Sequence, residues 1–465
     1  MGDSRRGLLF FNPPYRSLGE APSASDVNGQ IPVIPLGPAS VFEYLKVHSG
    51  VPCDFYYSPD HSVHKIKEVI RTHHPLLIAL SCNSYNRFAC LMIARIAKDI
   101  DPSIGIVLGG VHPTFLDEQM LVHYPFVDYV IRSEGEITLL GLVNALQKDG
   151  DLSGISGLSF REGGKFVRNP ARPRIVSLDD APLIDYEYFE AQGITNNAHR
   201  GYGARSYPVE TSRGCPYTCN FCATVGMFGQ KLSYRSIDKV MEQISRIPPG
   251  EGQMIYFHDM DFTLNKKYVT DICQALSKND INIPWCCSTR VDLVEADIFQ
   301  MMKEAGCVMT FFGVESLSET ILKGMHKGYT PESAIEGLRV VAESGILARL
   351  SFIIGFPGET DATLKESMMN CMKLPQGVQA HIAPLMILPG TAVYAQAVRE
   401  GFDESYWLKD HKDAIPLYEG ALPLSVLEKW ADIFNSRSFS DAHADAKAGK
   451  DGMDDFVSAF KKSRK

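Results

Sequence analysis

The sequence predicts an α/β protein: an N-terminal doubly wound parallel sheet, then a partial (β/α)6 barrel, then a small, mostly helical C-terminal region. Three observations predict it. Short apolar runs rich in β-branched and aromatic residues alternate with segments of helical period, which is the pattern of βα units. That alternation lapses in a proline-bearing stretch after about residue 170 and restarts near residue 207. In the second half, the polar residues of interest sit at the carboxyl ends of the strand runs, where α/β folds place their chemistry.

The first strands are read in GLLFFN (7–12), CDFYYS (53–58), LLIALSC (76–82), GIVLGG (105–110) and YVIRS (129–133). Between them, RFACLMIARIAKDI keeps Leu91, Ala94, Ile96 and Ala97 on one helical face. This makes an open five-stranded sheet ending near residue 148. ISGLSFREGGKFVRNP then offers two alternating strands about Gly163 and Gly164, a hairpin. ARPRIVSLDDAPLIDYEYF has little periodicity and reads as a linker. Six further strands follow, in YPVETS, MIYFHDMDFT, PWCCSTRVD, VMTFFGVES, RLSFIIGFPGET and AHIAPLMILPG, each separated from the next by a helical segment. Periodicity weakens after about residue 395, and the tail SDAHADAKAGKDGMDDFVSAFKKSRK is expected to be a marginal helix or disordered. The boundaries are therefore 1–148 for the sheet, 149–200 for hairpin and linker, 201–395 for the barrel and 396–465 for the C-terminal region.

With 465 residues the chain is long for one core. Its 45% hydrophobic and 22% charged residues are those of an ordinary globular protein. Lys plus Arg number 46 against 55 Asp plus Glu, a net charge of −9, which argues against a nucleic-acid partner held by bulk electrostatics. The start, MGDSRRGLLFFNPP, has too short an apolar run for a signal peptide or a membrane span. Eleven cysteines without an export signal suit a reducing compartment, so a cytoplasmic location is expected.

Three of those cysteines, Cys215, Cys219 and Cys222, fall in TSRGCPYTCNFCATVGMFGQ. Structural zinc takes four ligands, and the nearest extra candidates, His199 and Cys273, lack finger-like spacing. Three thiolates suit a four-iron cluster with one iron left open for substrate or cofactor. On spacing alone, a cluster, zinc and a coincidence of core thiols all stay open.

CPYTCNFC, followed by FHDMDFT, FFGVES and FIIGFPGET, closely resembles the radical S-adenosylmethionine (SAM) enzymes. VLGGVHPTF and VIRSEGEITLLGL resemble the later part of a cobalamin-binding domain, so the likeness is to the subgroup that carries such a domain ahead of the barrel, and it spans roughly residues 7–390. The resemblance implies that Cys215, Cys219 and Cys222 ligate a [4Fe–4S] cluster whose open iron chelates SAM. Reductive cleavage then yields a 5′-deoxyadenosyl radical. It also implies an electron donor such as flavodoxin or ferredoxin. Phe221 would lie against the adenine, and Asp259 and Asp261 would stand near SAM or substrate. Ser288, Arg290 and Glu315 would contact SAM polar groups, and Arg349 with the segment around Gly355 would approach its carboxylate or adenine.

Other readings of the same residues exist. Gly355 and Gly358 allow close approach of a planar ligand, and a strand-end acid such as Glu315 needs a partner. Asp259 and Asp261 could cap the helix that follows them, and Arg290 and Arg349 could form structural ion pairs. Cys82, Cys90, Cys286 and Cys287 read as core thiols. In the N-terminal region, Ser81, Asn83, Ser84, Gly109 and Gly110 line strand ends where the nucleotide tail of cobalamin would sit; otherwise they only make turns. Cobalamin domains that bind the cofactor with its tail displaced use an Asp-x-His-x-x-Gly loop, and neither SPDHSVHKI nor SCNSYNRF fits it. His61 and His64 read as solvated, so a cobalt ligand from this region is not expected.

The leading expectation is cobalamin-dependent methylation of an unactivated carbon in a small-molecule or lipid-like substrate. Cobalamin-independent cyclisation or carbon–carbon coupling is the alternative. A zinc-stabilised binding protein is the reading from another class, and an enzyme acting on transfer RNA loses ground on charge.

Overall fold

The computed structural model describes residues 6–13, 34–56, 62–193, 205–409, 415–420 and 422–435. The expectations for His61, His199 and the tail after residue 435 fall outside them. The chain divides into two compact units, Met1–Met260 with Ile387–Pro416, and Asp261–Met386 with Leu417–Lys465. Among the described residues no helix is long and apolar enough to cross a membrane.

The first unit opens with β1 (Leu8–Phe11), β2 (Cys53–Tyr56), β3 (Leu77–Ser81), β4 (Gly105–Gly109) and β5 (Tyr129–Ile131), joined by β6 (Leu158–Glu162) and β7 (Lys165–Arg168). Their order is β2-β1-β3-β4-β5-β6-β7. The first five are parallel, while the hairpin β6–β7 adds on antiparallel beside β5. All five expected strands are present, and the hairpin about Gly163 and Gly164 extends the same sheet to seven strands. The order reverses between β1 and β3, so this is the switch point at which an open sheet leaves a crevice at its carboxyl edge.

Every residue of β1 is buried, as a central parallel strand covered on both faces requires. Each such Leu or Phe contributes about 1.5–3 kcal/mol by leaving water. Phe10 meets Phe42 of the helix Leu36–His48 edge-on at 5.5 Å. Leu9 and Phe11 join the other core with the helices Val63–His73 and Arg87–Ile100. Ser62 caps the former, accepting from the Lys65 amide, and His74 ends it in the left-handed region at φ 43°. His64 is exposed on that helix, as expected.

Trp407 of the short turn Glu404–Leu408 is buried in this second core. Its ring meets His112 at 5.3 Å and lies under the Arg87 guanidinium at 5.1 Å. The Tyr124 hydroxyl donates to the Leu408 carbonyl at 2.8 Å. Burial, and then the Arg87 charge, push the His112 pKa down to about 3. The connecting stretch after β7 is packed rather than loose: Leu178, Tyr186 and Phe189 are buried.

The same unit carries β8 (Arg205–Val209), β9 (Ser212–Arg213), β10 (Ser233–Tyr234) and β11 (Gln253–Phe257). β8 and β11 pair in parallel, β9 and β10 antiparallel. In the second unit β12 (Trp285–Thr289), β13 (Cys307–Glu315), β14 (Leu347–Ile354) and β15 (Gln379–Pro384) pair in parallel in chain order. All six strands expected for this half exist. Capping boxes at Thr330 and Thr360 start the helices Pro331–Ser344 and Asp361–Cys371. The helix Leu424–Asn435 closes the unit, with Leu427 buried.

Candidate functional site

At the switch point a cavity of about 210 Å3 opens over the carboxyl ends of the first sheet. One wall is made by Phe10, Leu80, Ser81, Gly109, Gly110 and Ile131, and the opposite wall by Glu210, Arg213, Met227, Phe228, His258 and Met260. Two of the glycines matter for different reasons. Gly110 has φ 105°, and a Cβ there would strike the Cys82 carbonyl. Gly109 would meet nothing within 4 Å, so its missing side chain leaves the cavity open.

Ser81, Gly109 and Gly110 thus line the cavity, whereas Asn83 and Ser84 serve the turn beside it. Asn83 Oδ1 accepts from the amides of Tyr85 and Asn86 at 2.8 and 3.1 Å. The Ser84 hydroxyl meets His112 Nδ1 at 3.0 Å.

The cysteine loop starts from the second wall. Asp259 is buried and accepts from the Thr211 amide (3.2 Å) and hydroxyl (3.0 Å), the Ser212 hydroxyl (2.7 Å) and the Ser212 amide, which joins the end of β11 to the end of β8. Burial raises its pKa to about 7 against those hydrogen bonds. Gly214 then takes φ 107°, tight against the Lys231 carbonyl, a conformation suited to glycine. The Cys215 amide donates to the Gly229 carbonyl at 3.4 Å, closing the base of the loop. Cys222 follows within it, its thiol donating to Thr224 Oγ1 at 3.1 Å. Further on, Gly226 of the helix Thr224–Phe228 lies against the Phe115 ring, and the Thr224 hydroxyl donates to Met260 Sδ at 3.6 Å.

Cys215 and Cys219 are half-buried and Cys222 is exposed, while seven of the other eight free thiols are buried. Only these three therefore combine access with a shared irregular loop, which is the donor set a cluster with an open iron needs. Among the described residues no three His, Cys, Asp or Glu side chains already converge on a metal-sized point. Phe221, between the second and third thiols, is half-buried. Cys273 lies buried in the helix Lys266–Lys278, where burial pushes its pKa up to about 12, a poor zinc ligand. Cys82, Cys90, Cys286 and Cys287 are core thiols.

Arg213 is the feature that residue-by-residue reading missed. Its buried guanidinium reaches Glu134 at 2.8 Å, Glu136 at 3.1 Å and Glu210 at 2.9 Å. Burial works against its charge, but the three carboxylates hold its pKa above the ordinary arginine value. Glu134 also accepts from the Ile175 amide at 2.8 Å, and Glu136 from the Ser40 hydroxyl at 2.9 Å. The motif SEGE of the first sheet and the residue two before Cys215 thus share one charge centre. Arg213→Ala should cost about 3–5 kcal/mol, because it strands buried carboxylates. A urea midpoint close to that of the unaltered protein would refute this.

In the second unit, Asp261 is buried, accepts from the Thr289 hydroxyl at 2.6 Å and has its pKa raised to about 6, chiefly by burial. Its Oδ2 has no hydrogen-bond partner among the described residues. Neither aspartate caps the helix that follows; Asn265 does, accepting from the Tyr268 amide. Arg290 pairs with Asp292 at 2.9 Å, donates to the Lys327 carbonyl and lies over Tyr329 at 5.4 Å. Ser288 is half-buried near the carboxyl end of β12. Arg349 sits toward the amino end of β14, donating to Gln379 Oε1 at 3.0 Å, away from the strand end that carries Ile354.

Glu315 ends β13 at φ 64°, a left-handed conformation rare for a side-chain-bearing residue. Lys327 stands 3.6 Å away and the Ser351 hydroxyl donates at 3.4 Å. Burial raises the Glu315 pKa, opposed by Lys327. Gly313 is what lets this side chain fold back, since a Cβ there would run into Glu315 Oε1. Gly355, at φ 83°, faces Leu427 rather than open space: a Cβ would come within 2.6 Å of its Cδ1.

Residues 209–370 match the radical SAM superfamily, and residues 30–143 match the B12-binding domain. An uncharacterized methyltransferase of Pyrococcus horikoshii is 33% identical over 368 residues, 78% of this chain and 78% of that protein. The anaerobic magnesium-protoporphyrin IX monomethyl ester cyclase of Rubrivivax gelatinosus is 27% identical, over 77% of this chain and 64% of its own. Among solved structures, the cobalamin-dependent SAM radical enzyme OxsB with aqua-cobalamin and SAM bound superposes with TM-score 0.74 at 21% identity, covering 92% of this chain and 67% of that one. The radical SAM methyltransferase TsrM from Kitasatospora setae follows at TM-score 0.68 and 18% identity, over 85% and 76%; at such identities both speak to the fold alone. The chain thus belongs to the radical SAM superfamily, to its enzymes that carry a B12-binding domain, with SAM, a [4Fe–4S] cluster and cobalamin as cofactors.

Proposed function

We propose that this enzyme transfers a methyl group to an unactivated carbon of a small-molecule or lipid-like substrate in a cobalamin-dependent reaction. One observation carries the reading: a single cavity has the sheet's switch point as one wall and, as the other, Met227 and Phe228 of the helix directly after the cysteine loop. A corrinoid in that cavity would lie beside the loop where SAM is cleaved. When bound, the cofactors supply a 5′-deoxyadenosyl radical and a transferable methyl group. The protein's share is to hold and shield them. Cys215, Cys219 and Cys222 would ligate the cluster and Phe221 would cover the adenine. Glu315, Arg290, Ser288 and Asp261 would meet the polar groups of SAM. The open cavity wall at Ser81, Gly109 and Gly110 would receive the corrinoid. In this reading residues 1–148 form the cobalamin-binding part and residues 201–395 the radical SAM part, with 149–200 connecting them and 396–465 following. The electron donor would be a flavodoxin or ferredoxin in the cytoplasm, and no nucleic acid takes part.

The cyclase relative favours a second reading, radical cyclisation or coupling without methyl transfer. Anaerobic turnover with SAM carrying a deuterated methyl group separates the two. Label in the product supports methylation; a cyclised, unlabelled product overturns it.

Glu315→Ala should weaken SAM binding by roughly one to two decades, the value of about 1–3 kcal/mol of lost hydrogen bonding, while the cluster still assembles. SAM affinity unchanged in equilibrium dialysis would remove Glu315 from the site.

A further inference from the structure

The cavity contains one side chain that sequence reading left without a role. His258 follows β11 directly, and its amide donates to the Val209 carbonyl at 2.8 Å, so the paired strand ends fix where the residue stands. Its ring lies edge-on to Tyr256, with centroids 5.0 Å apart, and opens to the cavity. It hydrogen-bonds its own backbone. Among the described residues no other side chain bonds its nitrogens. Surrounding protein lowers its pKa, with the hydrogen bond and Glu210 opposing, so at neutral pH the ring is uncharged and one nitrogen keeps a free lone pair.

The other donors in the lining are weaker candidates for a transition metal. Glu134, Glu136 and Glu210 are committed to Arg213. Met227 and Met260 offer thioethers, and Ser81, Ser133 and Ser212 offer only neutral hydroxyls. Among the described residues no other histidine lines the cavity. Imidazole is a strong donor to divalent first-row metals, and a ligating histidine typically fixes its tautomer by donating its second nitrogen to an acceptor, as the backbone contact here does.

We propose that His258 is a cobalt ligand, binding the corrinoid from the wall that carries the helix after the cysteine loop. The inference rests on the corrinoid occupying this cavity. Coordination is a ligand exchange: the imidazole lone pair makes the cobalt–nitrogen bond as a water molecule leaves or stays away, the lone pair returns to nitrogen when the bond breaks, and neither the oxidation state nor any proton changes. While His258 is bound, that face of the metal is closed to any other ligand. The histidine is thereby a gate on the side facing the cysteine loop, not the lower-face ligand supplied by the loop motif that this chain lacks.

The test uses the full-length protein loaded with cob(II)inamide, a corrinoid without a nucleotide base, so any nitrogen on cobalt beyond the ring must come from protein. Electron paramagnetic resonance should show nitrogen superhyperfine splitting. With nitrogen-15 histidine incorporated, the splitting should change to the nitrogen-15 pattern, and in His258→Ala it should vanish, with or without loss of the corrinoid. Retained cobinamide without splitting, or splitting that survives His258→Ala, overturns the ligand while leaving the cavity reading intact. Wild-type protein that retains no corrinoid after gel filtration overturns both.

Discussion

Cys219→Ala should abolish SAM cleavage and the broad visible absorption of the reconstituted protein, whereas Cys273→Ala should leave both in place. The first loses one of three accessible thiols on a single loop; the second trims a thiol buried in a helix, with its pKa near 12. Removing one of three thiolates leaves too few protein ligands to hold a four-iron cluster with an open iron, so 5′-deoxyadenosine should fall to background rather than by a modest factor. Iron and acid-labile sulfide, measured after anaerobic reconstitution, should fall together. Wild-type amounts of 5′-deoxyadenosine from Cys219→Ala would disprove the assignment, and a colourless wild-type protein rich in zinc would move it to the binding-protein class.

Gly109→Leu should cost at least about two decades in corrinoid affinity, ~2.7 kcal/mol, with little change in fold stability. The asymmetry follows from local geometry. A Cβ at Gly109 meets no atom within 4 Å, and the residue is not held at positive φ, so leucine is accepted by the backbone and intrudes only on the cavity. Gly110 behaves otherwise, because any side chain there collides with the Cys82 carbonyl and strains a backbone at φ 105°. Corrinoid-to-protein ratio after gel filtration and the thermal midpoint, measured on the same sample, check both halves. Full corrinoid occupancy in Gly109→Leu would place the cofactor elsewhere.

Where regularity carries the signal, the sequence was enough. The strands around Phe10, Leu80, Leu108 and Val130 are short apolar runs whose type is decided by their own composition, and the helix Arg87–Ile100 was legible to the residue from its periodicity. The cysteine loop was legible because three thiols at fixed spacing are chemically distinctive. What escaped were contacts made by folding. Arg213 was one more residue in RGCPYTC until the sheet brought Glu134 and Glu136 to it, 79 and 77 positions away. Lys327 meets Glu315 only because the chain turns back after β13. Asn265 was hidden for the opposite reason, since a short polar side chain bonds to a neighbouring amide in a way that composition alone does not rank. His258 lay inside a quoted motif, but strand-end position alone does not tell which of several polar residues faces a cavity.

Trp407 gives the first sheet a schedule as well as a core. Ribosomal synthesis delivers β1 to β5 early, and an N-terminal domain would ordinarily fold as soon as it emerges. Here the core that contains Leu9, Phe11 and Leu80 also contains Trp407, and the Tyr124 hydroxyl bonds to a carbonyl 284 residues downstream. Until that segment leaves the ribosome, the nascent sheet presents an unfilled apolar socket beside His112 and Arg87. Completion of the corrinoid-binding half is thereby postponed until the cysteine loop and the rest of the catalytic half have already been made, so the order of translation favours a chain whose two halves mature together.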